Sequence, residues 1–186
     1  LGATGRYRVL MTRDSDVFVR LSERVAKARD SGADLFISIH ADTIDLPKLR
    51  GASVYTLSEQ ASDKEAEALA EQENSSDTIA GLNIDEETDE VVRSILIDLA
   101  QRETMNKSVR FAKMLLPELG RVGALLKNSH RYAGFRVLKA PDVPSVLVEL
   151  GLLSNHYDAQ LLTTNPGRQK LAVAIKKAVD VYFRDQ

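Results

Sequence analysis

The sequence predicts an α/β domain with a mostly parallel or mixed central sheet flanked by helices and an acidic helical insertion over residues 59–104. Three observations predict it. Residues 33–40 and 145–150 are short, nearly unbroken apolar runs bounded by turn residues, the pattern of strands buried on both faces. Segments with helical spacing of apolar residues are interleaved with such runs. The length of 186 residues suits one domain with a substantial core.

Taken in order, Leu1-Gly2-Ala3-Thr4-Gly5 reads as a helix end and turn, because glycine favours both. Residues 6–12 alternate, with Tyr7, Val9 and Met11 on one face, and predict a strand. After Asp14-Ser15-Asp16, residues 17–30 carry Val17, Leu21, Val25 and Ala28 at helical spacing, and Ser31-Gly32 ends the helix. With the strand at 33–40 this makes a strand–helix–strand unit, which implies a right-handed crossover. A further strand spans 51–57. Residues 62–74 are rich in Ala and Glu and predict a helix whose one large apolar residue is Leu69. Residues 75–86 read as irregular. Residues 87–119 form a long helical pattern through Val91, Val92, Ile95, Leu96 and Leu99, with Pro117 near its end. Residues 135–138 and 145–150 predict two strands. Asn165-Pro166 supplies an N-cap and first turn for a last helix that buries Leu171, Ile175, Val179 and Tyr182.

Composition narrows the chemistry. The formal net charge of −2 gives no general basic field for nucleic acid. No apolar run approaches the roughly 20 residues that span a bilayer, and no signal peptide is visible. The chain has no cysteine, so disulfides and thiolate metal sites are excluded and any metal must be held by His, Asp and Glu. Residues 59–103 hold 14 of the 27 acidic residues and three basic ones, Lys64, Arg93 and Arg102. Two readings stay open for this segment: a solvated surface, or an acidic insertion lying against a cationic or metal-bearing surface.

His40 and Glu149 are the candidate chemical residues. Each ends a core strand, and ligands in open α/β sheets sit beyond the carboxyl ends of strands. His40 is either a metal ligand there or a simple strand-end cap. Glu149 is costly to bury unless a metal, a water or a cation satisfies it, and desolvation would raise its pKa toward the range of a general base. A salt-bridged structural Glu is the alternative. His130 and His156 lie in a polar loop and a turn and read as surface residues. There is no His-Glu-x-x-His helix, no Gly-x-Ser-x-Gly elbow and no phosphate loop.

The runs Met11-Thr12-Arg13-Asp14, Leu21-Ser22-Glu23-Arg24 and Ala33-Asp34-Leu35-Phe36-Ile37-Ser38-Ile39-His40-Ala41-Asp42 resemble the zinc-dependent amidases of the amidase-3 family. So do Gly51-Ala52-Ser53-Val54-Tyr55-Thr56-Leu57-Ser58, Phe135-Arg136-Val137-Leu138, and the run from Pro144 through Glu149 to Asn155. The runs keep the family's order over most of the chain. The resemblance implies one amidase catalytic domain over 1–186, N-terminally incomplete, with Zn2+ as cofactor. It implies hydrolysis of the amide between N-acetylmuramic acid and the L-alanine of the peptidoglycan stem peptide. His40 matches the second of two zinc-binding histidines and Glu149 the catalytic glutamate. The two further ligands, a histidine and a glutamate, are expected in a glycine-rich N-terminal segment that nothing here matches. Residues 62–103 resemble the regulatory region of the Gram-negative division amidases, in which a helix lies over the zinc until an activator protein displaces it. Glu73 is then the expected inhibitory carboxylate, with Glu71 second. The resemblance further implies a periplasmic enzyme of septal wall splitting. Peptidoglycan and an activator are its expected partners, with no nucleic acid and no membrane span. The alternative is an amidase-like module that binds peptidoglycan or a partner without cutting.

Overall fold

The computed structural model describes residues 1–80 and 95–184. Four strands form its sheet: β1 (Phe36–His40), β2 (Ala52–Leu57), β3 (Leu125–Ala133) and β4 (Ser145–Glu149). Their order is β1-β4-β2-β3. β1 runs parallel to β4 and β2 parallel to β3, while β2 and β4 are antiparallel, so the sheet is mixed. Six α-helices accompany it: α1 (Leu21–Asp30), α2 (Lys64–Asn74), α3 (Ser76–Ile79), α4 (Ile95–Gly120), α5 (His156–Thr163) and α6 (Asn165–Arg184).

Side chains alternate across a strand, so each strand feeds two cores. Ala52, Val54, Val146 and Val148 face α4 and α6, where Phe111, Leu115, Leu119, Leu171, Ile175, Val179 and Tyr182 are buried. The burial of α6 at residues 171, 174, 175, 178, 179 and 182 follows the i, i+3, i+4, i+7 stripe read from the sequence. Tyr55 and Leu147 face the other way, against Leu21 of α1, Ala66 and Ala70 of α2, and Phe135, Val137 and Leu138. The short helix α5 meets the start of α6 at Gly167, where a Cβ would collide with the Leu161 carbonyl.

Several expected elements differ. Residues 6–12 form no strand, and Val9, Leu10 and Met11 are exposed. Strand propensity is realised only when a neighbour accepts the backbone hydrogen bonds, and no described strand lies alongside this segment. The expected crossover through it is therefore absent among the described residues. α1 begins at Leu21 rather than at residue 17, and Val17 is exposed. Residues 135–138 form a 3-10 turn, Arg136–Leu138, not a strand. Its apolar residues are buried all the same, which is why they read as a core strand. The sequence reading missed β3, whose polar run Lys127-Asn128-Ser129-His130-Arg131 hides a half-buried edge strand. The first part of the long helical pattern, residues 87–94, lies outside the described residues; α4 accounts for the rest and carries Pro117 in its last turn.

Candidate metal centre

β1 and β4 pair in register, and His40 stands opposite Glu149. Both are the last residues of their strands, so the pairing brings an imidazole and a carboxylate together at the carboxyl edge of the sheet. Glu149 is two residues beyond Leu147 and so shares the face that α1 and α2 cover. The loops that follow both strands are stitched together. Leu150 N–H donates to the His40 carbonyl at 3.1 Å and Leu153 N–H to the Asp42 carbonyl at 2.8 Å. Buried Asp158 accepts from Gly51 N–H at 2.7 Å and Leu152 N–H at 3.1 Å. Gly51 has φ 120°, and a Cβ there would meet the Leu125 carbonyl carbon at 2.7 Å, so no other residue fits that corner without a backbone shift.

One ligand atom from each of His40, Asp42 and Glu149 lies within 4.8 Å of the other two. Asp42 N–H donates to Glu149 Oε2 at 3.2 Å. Glu149 Oε1 and Asp42 Oδ2 are buried without a hydrogen-bond partner. His40 Nε2 meets Ser38 Oγ at 2.9 Å, and its Nδ1 lies 3.5 Å from Glu73 Oε2 on α2. In the sequence, Asp42 stands only as the close of the run 33–42. What brings it in is the turn immediately after β1, a signal present in the sequence as a carboxylate two residues beyond a strand-end histidine.

The electrostatics are those of a site crowded with carboxylates. Burial, reinforced by the Asp42 charge, pushes Glu149 up to about 8, against the opposing pull of His40 and the Asp42 N–H. Burial and the Glu73 charge raise Asp42 as well. For His40, burial favours the neutral ring, but contact with Glu73 and the charges of Glu149 and Asp42 outweigh it and raise its pKa. An imidazole beside two buried carboxylates could hold a divalent cation, whose charge would offset the repulsion between them. The residues present therefore fit a divalent metal site.

The remaining candidates separate. Glu73 is half-buried beside His40, while Glu71 is exposed on another side of the same helix. His130 is half-buried in β3, with Nε2 3.2 Å from Thr56 Oγ1, and burial lowers its pKa. His156 is exposed at the start of α5. Neither joins the His40 cluster.

Known proteins resemble this chain in sequence or in fold. AmiC of Escherichia coli is 41% identical over 182 residues, which cover 97% of this chain and 43% of that protein. AmiA of Escherichia coli is 41% identical over 174 residues, covering 93% and 60%. Both are described as N-acetylmuramoyl-L-alanine amidases, and the chain spans about half the length of these relatives. The CwlD amidase of Clostridioides difficile, solved in complex with the GerS lipoprotein, superposes with a TM-score of 0.65 at 21% identity, over 99% of this chain and 79% of that one. The catalytic domain of CwlV, an amidase from Bacillus (Paenibacillus) polymyxa, gives 0.61 at 23% identity, over 96% and 74%. These two likenesses concern the fold. The family described as N-acetylmuramoyl-L-alanine amidase matches residues 1–181. A match of that extent, with relatives above 40% identity, makes the chain a member of the N-acetylmuramoyl-L-alanine amidase family.

Proposed function

We propose that this chain forms most of the catalytic domain of a zinc-dependent amidase. It would hydrolyse the amide between the lactyl group of N-acetylmuramic acid and L-alanine in peptidoglycan. The observation that carries the reading is the convergence of His40, Asp42 and Glu149 at paired strand ends, with two buried carboxylate oxygens lacking partners. A non-catalytic binding module has no use for that arrangement, because burying unsatisfied carboxylates is costly.

His40 is assigned as a metal ligand, and the family resemblance implies a second histidine and a glutamate as its fellow ligands. A bound zinc ion would polarise the amide carbonyl and make water a stronger acid. Glu149 is assigned as the general base and acid. The Asp42 N–H fixes its Oε2, which leaves Oε1 to take a proton from the attacking water. As the C–N bond breaks, Glu149 returns that proton to the nitrogen of L-alanine, so the products are a lactyl carboxylate and a free amine.

Residues 59–104 are assigned as a regulatory segment. α2 lies over the carboxyl edge of the sheet with Glu73 against His40, so its carboxylate would compete for the open coordination position that catalysis needs. Tethering raises its effective concentration to around millimolar even on a flexible link. A releasing partner protein follows from this reading, and the CwlD–GerS complex supports a protein partner for the same fold. Periplasmic export and a role in septal wall splitting complete the proposal, supported by the similarity to AmiC and AmiA. No helix among the described residues is long and apolar enough to cross a membrane. The direct test is release of stem peptides from purified peptidoglycan by the full-length protein with α2 removed. Chelator should abolish it, and cleavage that survives complete metal removal would sink the proposal.

A further inference from the structure

We propose that α2 is held over the site by a backbone latch at its Glu73 end, with Asp77 and Asn74 as the latching residues. The inference rests on the autoinhibited reading above and adds how the off state is secured. α2 buries only Ala66 and Ala70, with Leu69 partly buried, so apolar area contributes little to its docking. Polar contacts must supply the rest, and they fall into two groups with different character.

At its N-terminal end the helix is continuous with the sheet. Ser62 N–H donates to the Tyr132 carbonyl at 2.8 Å, and Tyr132 N–H donates to Ser62 Oγ at 3.3 Å. Asp63 caps α2 by accepting from Ala66 N–H at 2.9 Å and lies 3.5 Å from Arg131 Nε. This end is a fixed pivot on β3.

At the other end the contacts are three side-chain-to-backbone bonds. Asn74 Nδ2 donates to the Gly134 carbonyl at 2.9 Å, and Asn74 Oδ1 accepts from Arg136 N–H at 2.7 Å. Asp77 Oδ1 accepts from Leu21 N–H at 3.1 Å. Leu21 is the first residue of α1, which is preceded by Arg20 and has no side-chain cap of its own. Asp77 thus serves as the N-cap of α1 from another part of the chain, where the positive end of the helix favours a carboxylate. Arg24, in the next turn of α1, feels the charges of both Glu73 and Asp77. Breaking these bonds lets α2 swing about the Asp63 pivot and carries Glu73 away from His40. Both partners of the broken caps can then be met by water, so opening leaves no orphaned buried group.

Hydrogen exchange in the full-length protein tests this separately from activity. Asp77→Ala and Asn74→Ala are expected to speed exchange of the amides of residues 64–74 by about fivefold, the size of one lost cap, while β2 and β4 exchange as in the parent. Asp77→Asn keeps a cap acceptor and should exchange like the parent. Unchanged exchange in both alanine variants, equal loosening of β4, or equal opening by the Asn and Ala variants at Asp77 would overturn the latch. Peptidoglycan cleavage measured on the same variants addresses the reading beneath it. If α2 opens and basal cleavage does not rise, the latch stands and autoinhibition fails.

Discussion

The two faces of the sheet are covered by helices of opposite character. On one face α4 and α6 bury Phe111, Leu115, Leu119, Leu171, Ile175, Val179 and Tyr182 against Val54, Val146 and Val148. On the other, α2 offers two buried alanines and is fastened by caps and clasps. The candidate site lies on the second face. Apolar burial is lost only by unfolding, whereas side-chain-to-backbone bonds can be exchanged for water one at a time. The difference teaches that large apolar side chains hold the helices away from the candidate site, whereas α2, on the site's side, is held mainly by hydrogen bonds.

The largest expected effect falls at the site itself. Glu149→Gln should lower turnover by roughly 100-fold or more if Glu149 moves the proton, with zinc content kept. His40→Ala should lose the zinc. Metal analysis of both variants checks the assignment, and equal zinc loss would make Glu149 a ligand rather than the base. Next comes the secured face. Leu115→Ala should cost about 2–5 kcal/mol, as large-to-small changes in a packed core do. Leu69→Ala on α2 should cost less than about 1 kcal/mol, given its partial burial. Denaturant unfolding of the pair measures the contrast, and equal costs would erase the distinction between the faces.

A smaller effect is expected from the cover. Glu73→Ala should raise basal peptidoglycan cleavage about tenfold without any activator, since roughly 1.4 kcal/mol of off-state preference corresponds to that ratio. Deleting residues 62–85 should raise it further, because steric blockage goes too. If both variants fold, bind zinc and cleave no faster than the parent, the acidic segment is a solvated surface.

How much of this was legible depended on which forces were local. The α6 stripe, the core runs at 36–40 and 145–149 and the strand-end placement of His40 and Glu149 could be read because hydrophobic period and position carry them. β3 was not, since its exposed edge admits Lys127 and Asn128, and a strand accepts polar residues wherever one side meets water. The segment at 6–12 failed for the converse reason: its alternation suits a strand, but pairing is a property of the neighbour. Asp42 joined the site only through the turn after β1. The cap that Asp77 provides to Leu21 spans 56 positions, and no local pattern announces such a contact.

The smallest prediction concerns a third mode of attachment, which sharpens the comparison of the two faces. The N-terminal segment reaches the secured side through Tyr7, whose ring packs against Phe183 with centroids 5.7 Å apart. It is fastened there by one carboxylate on α6. Asp180 Oδ1 accepts from Tyr7 Oη and Arg6 Nη2, both at 2.9 Å, and Oδ2 accepts from Lys176 Nζ at 2.7 Å. Lys176, above all, with Tyr7 and Arg6 holds the Asp180 carboxyl at about 2, well below the usual carboxylate range. In the unfolded chain an aspartate titrates near ~3.9. Between those values the unfolded state binds more protons than the folded one. The clasp therefore contributes stability above about pH 4 and loses it as pH falls toward 2. Asp180→Asn removes this titration while keeping an acceptor for Tyr7. Its thermal midpoint should lie slightly below the parent's at pH 7, and the gap should close as pH falls from about 4 to about 2. The effect is small because the contacts are open in part to solvent and salt. A gap that stays constant across that range would mean that Tyr7 is seated by its ring alone, and that the N-terminal segment belongs with the apolar-secured face rather than with the clasped one.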